Sequence, residues 1–190
     1  MAVDRKQLII EAASKSFSLF GYKATTMDQI AKIANVGKGT IYNFFENKEE
    51  LLAEIVTALI KEMKFEAEET IQDDLSFHEN ANRALYRLLE FRKQHQLTIK
   101  LFQEEKEIGT PAVMEVIQRV ESAIINYIRE KVEEAIQKGE IRQCDPEITA
   151  FIMLKLYVSL IFDWEKYHQP LDEEKIASLF EFYLFKGLSM

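Results

Sequence analysis

The chain has one cysteine, Cys144, so an intramolecular disulfide and any cysteine-cluster zinc site are excluded. Histidine is scarce too: His78, His95 and His168 lie far apart, and none forms an i, i+4 metal-ligand pair. No metal site and no cofactor are expected. Ser-x-Gly elbows are absent, and no histidine stands near Cys144 in sequence. The acids Glu104, Glu105 and Glu107 read as a solvated helix face rather than acid–base machinery. No catalytic constellation emerges, and an enzyme is not expected. Apolar runs are short of the ~18 residues a membrane span needs, and no signal peptide is read. The expected location is the cytoplasm.

What is present is ordinary for a water-soluble fold, with 47% apolar and 29% charged residues. The net charge of −8 would argue against a nucleic-acid partner if it were evenly spread. It is not. Residues 1–48 hold seven Lys/Arg against four acids, a balance of +3, and the rest of the chain carries −11. A small basic head on a large acidic body suggests a phosphate-binding module joined to a part with another task.

The three prolines and six glycines fall where the apolar rhythm pauses. Between them the rhythm is helical. Ile9, Ala13, Phe17 and Phe20 recur at steps of four, four and three, and Leu52, Ile55, Leu59 and Met63 at three, four and four. Asp4/Gln7, Thr26/Gln29, Asn47/Glu50 and Ser76/Glu79 have capping-box spacing, and Thr110-Pro111 and Asp145-Pro146 put a cap before a helix-starting proline. Nine helices are predicted, near 5–20, 27–34, 38–44, 48–72, 77–94, 97–107, 111–138, 146–167 and 173–187. The fold class is all-α. Two domains are expected, 1–47 and 48–190.

Residues 37–48, "GKGTIYNFFENK", could belong to a nucleotide-binding loop or to a helix end facing a larger polyanion. A P-loop needs G-x-x-x-x-G-K-[ST] after a strand. Here Lys38 precedes Gly39, residue 32 is lysine, and the preceding segment is helical. The alternative fits better. Thr26 caps a short helix with Ile30, Ala31 and Ala34 inward; "NVG" turns the chain; a second short helix buries Ile41 and Phe45 and turns Thr40 and Asn43 outward. Two short helices joined by a tight turn form the unit that enters the DNA major groove by the second helix's first residues. Gly39 leaves room for close approach of a duplex backbone.

The run "FGYKATTMDQIAKIANVGKGTIYNFFENKEELL" (residues 20–52) resembles the DNA-binding domain of the TetR (tetracycline repressor) family of bacterial transcriptional regulators. The remaining residues are similar to it only in length and helical pattern. The resemblance implies that Thr26 holds a phosphate, that Lys38, Gly39 and Thr40 sit at the groove mouth, and that Tyr42 donates its hydroxyl to a phosphate. It implies that Lys48 clamps the flanking DNA backbone. Asn43 is the base-reading candidate, because an amide can bond adenine bidentately. Two residues depart from the family pattern: Gly37 stands where serine is common, and Phe44 where histidine or tyrosine is common.

The acidic body is rich in large apolar side chains. The chain's eighth helix carries Phe151, Leu154, Val158 and Phe162 on one stripe and Tyr157, Ile161 and Trp164 beside it, and the ninth carries Ile176, Leu179, Phe180, Tyr183 and Leu184, so each is apolar on more than one face. A helix apolar over more than one stripe is buried on two sides, and the second side is read as another subunit. The resemblance implies the same, a homodimer built from the last two helices of each chain. Paired heads would read an inverted repeat with half-sites about 34–36 Å apart or a multiple of that. Met63, Leu88, Phe91, Phe102, Met114, Tyr127 and Tyr157 are the candidate lining of a pocket, though such stripes also serve as plain core. The family's habit favours a pocket for a small lipophilic effector. The resulting expectation is a dimeric repressor that binds an inverted-repeat operator in double-stranded DNA and is released by its effector. The alternative is a helical ligand-binding or protein-interaction bundle without sequence-specific DNA binding.

Overall fold

The computed structural model describes residues 4–186. Its described residues form nine α-helices and no strand: α1 Arg5–Phe20, α2 Met27–Ile33, α3 Lys38–Tyr42, α4 Lys48–Glu68, α5 Phe77–Gln94, α6 Gln96–Ile108, α7 Pro111–Gln137, α8 Pro146–Val158 and α9 Glu173–Phe180. Helices α8 and α9 each run on into a π-helical turn, Ser159–Asp163 and Glu181–Phe185. No helix among the described residues is long and apolar enough to cross a membrane.

Four of the predicted start signals act as caps, whereas the Thr110 hydroxyl donates to Glu104 and Glu50 accepts from the Glu46 amide rather than from that of Asn47. Asp4 Oδ1 accepts from the Gln7 amide at 3.1 Å, and Asp145 Oδ1 from Ile148 at 3.0 Å. Thr26 and Gln29 cap each other reciprocally, as do Ser76 and Glu79. Each pair satisfies two amides that a helix start would otherwise leave unbonded. The ends of α3 and α4 differ from the expectation. α3 closes at Tyr42 because the Asn43 and Phe44 amides bond three residues back, to Thr40 and Ile41, and tighten the last turn. α4 stops at Glu68 rather than 72. The following loop is held by Asn80, whose amide bonds both backbone groups of Gln72 and also donates to the Leu75 carbonyl.

Close contacts divide the chain into two units. The first holds the described residues as far as Glu62 together with Arg92–Val120; the second holds Met63–Phe91 and the described residues from Glu121 onward. The expected functional division at 47/48 is therefore not where the packing divides: α4 and α7 each contribute to both units.

In the first unit α1 packs on α2 and on α6. Ile9, Ala13 and Phe17 are buried at their four-residue spacing, with Ile30, Ile41, Leu52 and Val56. Phe20, predicted on the same stripe, is 61% exposed because α1 ends there and the chain turns at Gly21. In the second unit a core of Leu85, Leu89, Val132, Ile161, Ile176 and Phe180 joins α5, α7, α8 and α9. Fully burying an aliphatic or aromatic side chain of this size stabilises by about 1.5–3 kcal/mol.

Candidate functional site

The turn between α2 and α3 runs through Asn35 at φ 53°, a left-handed conformation that asparagine tolerates better than most residues. Val36 donates back to the Ala31 carbonyl at 3.0 Å, so the turn is fastened to α2. Ile41 and Phe45 are buried and fix the rotation of α3. That rotation leaves Lys38, Gly39, Tyr42, Asn43 and Phe44 exposed on one surface, with Thr40 half-buried. Tyr42 and Phe44 keep 45% and 40% of their area in water. A Cβ built on Gly39 meets nothing within 4 Å, so nothing inside the chain requires a glycine there.

Lys38 does not stand free. Its Nζ lies 2.9 Å from Asp28 Oδ1 on α2, an exposed pair that keeps the ammonium charged and that a phosphate could replace at small cost. Thr26 is exposed, and its hydroxyl is engaged in the α2 cap.

Lys48 is engaged inward. Its ammonium donates to the Tyr22 and Thr25 carbonyls, both at 2.8 Å, and lies 4.1 Å from the Tyr22 ring centroid. Burial lowers its pKa from the ordinary lysine value. Two of its three N–H donors thus hold the α1–α2 loop against the start of α4, leaving a single donor for any other contact. Tyr22 is itself buried and donates to Glu49 at 2.9 Å. Burial and that carboxylate raise its pKa far above the usual phenol range.

Beneath this loop sits a residue that the sequence misplaced. Glu104 on α6, read as part of a solvated face, is 6% exposed. Its carboxylate accepts from the Lys23 amide at 3.0 Å and from the Thr110 hydroxyl at 2.9 Å. Gly21, at φ 85°, makes room for it: a Cβ there would lie 3.0 Å from Glu104 Oε2. Helical spacing carried no sign of this, because the partner is a backbone amide 81 residues away. Glu107 is exposed as expected, and Glu105 is half-buried.

The second unit contains a cavity of about 230 Å³, far larger than the ~10–15 Å³ that one water needs. Of the predicted lining, Met63, Leu88, Tyr127 and Tyr157 border it. Phe91, Phe102 and Met114 do not. Phe91 and Phe102 are packed into the interior, and Met114 is 50% exposed near Gly109. Sequence reasoning missed Ile71 and Leu75, which reach the cavity from the loop after α4, and Phe185 from the π-helical turn that follows α9. A loop has no periodicity by which such residues could be found.

The last two helices also need a correction. Leu154, Val158 and Phe180 are buried within the chain's own fold, so they are not available to a partner. Phe151 and Tyr183 are outward, at 49% and 65% exposure, while Phe162 and Leu179 are half-buried. The outward apolar set includes Ile148, Ile152 and Phe182, which were not predicted. Each helix does have two apolar faces, but sequence spacing alone did not say which face turns inward.

Comparison with known proteins covers both units. The model for bacterial regulatory proteins of the tetR family matches residues 9–55, and that for the tetracyclin repressor-like C-terminal domain matches residues 74–188. The HTH-type transcriptional regulator YhgD of Bacillus subtilis (strain 168) is 65% identical over 189 residues, covering 100% of this chain and 99% of that protein. The transcriptional regulator FadR from Bacillus subtilis, solved in complex with stearoyl-CoA, superimposes with a TM-score of 0.77 at 23% identity, covering 91% of this chain and 96% of that one. AibR, solved with isovaleryl coenzyme A and operator DNA, gives 0.65 at 24% identity, covering 92% and 95%.

Proposed function

The chain belongs to the tetR family of bacterial regulatory proteins, a helix-turn-helix transcriptional regulator and not an enzyme, and on that premise we propose that it is a cytoplasmic repressor working as a homodimer. Its two heads read an inverted repeat in double-stranded DNA, and a small lipophilic effector in the second-unit cavity releases it. The observation that carries the DNA half is the exposed face of α3, where Tyr42 and Phe44 stay in water and Gly39 has no internal cause. Two aromatic side chains left in water beside Lys38 and Asn43 suit a surface that a partner covers. Thr26, Lys38, Tyr42 and the remaining N–H of Lys48 supply phosphate contacts, Gly39 and Thr40 line the approach, and Asn43 reads a base.

The outward residues Ile148, Phe151, Ile152, Phe182 and Tyr183 supply the dimer contact, with Phe162 and Leu179 at its edge. Residues 1–47 then serve as the DNA-binding domain and 48–190 as the effector and dimer domain, with α4 common to both functions. An effector acts by binding one shape of the body more tightly than the other, and α4 passes that preference to the heads. Stearoyl-CoA and isovaleryl coenzyme A in the two fold relatives are consistent with a lipophilic ligand class.

Selection of bound duplexes from a random pool, followed by sequencing, should return an inverted repeat. A pool that stays unenriched at low and moderate salt would overturn the DNA reading and favour the helical-bundle alternative. Asn43→Ala should relax preference at one base position per half-site, at a cost of about 1–3 kcal/mol in discrimination. The same selection measures it, and an unchanged motif would remove Asn43 as the base reader.

Gly39→Ala separates fold from function. The open space around Gly39 predicts a melting temperature equal to or above that of the parent, since alanine is the better helix former by about 0.5–1 kcal/mol. Operator affinity should fall by roughly tenfold, or 1.4 kcal/mol. Unchanged affinity in an anisotropy titration would mean that the duplex does not approach α3 there.

A further inference from the structure

We infer that Phe44 is a second base-reading residue, whose ring selects a thymine in each half-site by packing against its C5-methyl group in the major groove. This rests on the DNA reading above and adds a base to the one assigned to Asn43.

The geometry of α3 sets where Phe44 stands. The backbone keeps its helical turn beyond Tyr42, with Asn43 at φ −74° and ψ −20° and the Phe45 amide bonded to the Ile41 carbonyl at 3.0 Å. Ile41 and Phe45 are buried and mark the inner side. At 3.6 residues per turn Asn43 stands opposite them, Tyr42 lies on one flank with Lys38, and Phe44 lies on the other with Thr40. The flanks differ in chemistry. One offers an ammonium and a phenol hydroxyl, both suited to phosphate. The other offers a threonine and a phenyl ring with no polar atom. From Lys38 to Phe44 the helical rise is about 9 Å, less than the ~12 Å width of the major groove, so a duplex seated on Lys38 and Asn43 also covers Phe44.

The Phe44 ring is 40% exposed, and among the described residues no second ring and no ammonium packs on it. Its neighbour Phe45 is spent on the fold instead: it is 2% exposed, with the Lys6 ammonium 5.6 Å from its centroid. A phenyl ring cannot bond a phosphate oxygen, nor a donor or acceptor on a base edge. What it can recognise in the major groove is the thymine methyl, which guanine, adenine and cytosine lack. Contact takes both the methyl and the ring out of water, so the methyl itself becomes the selected group.

The test is fluorescence anisotropy of the full chain and its Phe44→Ala and Phe44→Gln variants on the selected operator, with deoxyuridine replacing thymine one position at a time in both half-sites. The replacement deletes the methyl and keeps the base pair. One thymine position should respond, within about two base pairs of that relaxed by Asn43→Ala, because adjacent Cα atoms lie ~3.8 Å apart and base pairs rise ~3.4 Å. Parent affinity should fall about fourfold per half-site, or roughly fifteenfold for both, as one buried methyl per half-site requires. Phe44→Ala and Phe44→Gln should each bind the thymine and deoxyuridine operators equally. The readout is a ratio within one preparation, so a loss of stability cancels, and glutamine keeps the length of the side chain if alanine unfolds the head. A parent indifferent to deoxyuridine at every position would overturn the inference. So would a methyl effect that persists in both variants, which would put the ring on the sugar–phosphate backbone instead. A random pool that returns no operator would overturn the DNA reading itself, and this inference with it.

Discussion

Glu104→Ala is expected to lower the melting temperature by roughly 6–12 °C, the equivalent of about 3 kcal/mol in a chain of this size. The substitution leaves the Lys23 amide and the Thr110 hydroxyl without their acceptor, and it opens a void beside Gly21. An unsatisfied buried donor costs about 1–3 kcal/mol, and the lost packing adds to it. The α1–α2 loop is anchored to α6 through this carboxylate, so operator affinity should fall at temperatures well below the melting point. Gly21→Ala should act on the same contact from the other side. Its positive φ and the 3.0 Å approach to Glu104 Oε2 leave no strain-free place for a methyl group. Thermal denaturation followed by circular dichroism measures both. A shift under 2 °C for Glu104→Ala would show that the loop does not depend on this carboxylate.

Lys48→Met is expected to destabilise by about 3 kcal/mol as well, because two charge-assisted bonds to the Tyr22 and Thr25 carbonyls disappear together. Methionine keeps most of the stem and the contact with the Tyr22 ring, so the loss reports the ammonium rather than the packing. DNA binding should weaken more than the loss of one phosphate contact explains. A lysine acting only on a phosphate would change the slope of log K against log salt by ~1 and leave the melting temperature in place. Salt-dependent anisotropy and thermal denaturation on the same preparation separate these outcomes. An unchanged melting temperature with a reduced slope would restore the purely electrostatic role.

The sequence was a good guide wherever the governing interaction is local. A capping box works within four residues, so Thr26/Gln29 and Ser76/Glu79 could be read directly. The inward stripe of α1 could be read from its four-residue step, except where the helix ran out at Phe20. The pair of short helices was legible because Thr26, Ile30, Ile41 and Phe45 lie within twenty contiguous residues, whereas the packing of α1 on α6 was not. The body was harder. The cavity draws on five helices and the loop after α4, and its lining depends on how each helix is turned against the others. Met63, Leu88, Tyr127 and Tyr157 were found, whereas Phe91, Phe102 and Met114 carried the same composition and periodicity to other places.

Lys48 and Glu104 show the same boundary in single residues. By type and position one is a charge ready for phosphate and the other a charge ready for water. Their partners are backbone atoms at separations of 26 and 81 residues, and backbone atoms leave no mark in a residue pattern. By itself, the sequence determined an all-helical chain, most of its helix starts and the helix-turn-helix unit, because each follows from residue type and short spacing. Tertiary structure decided which apolar faces turn inward, which of them enclose a cavity, and which charges are held inside the head, because those depend on contacts that form only when distant segments meet.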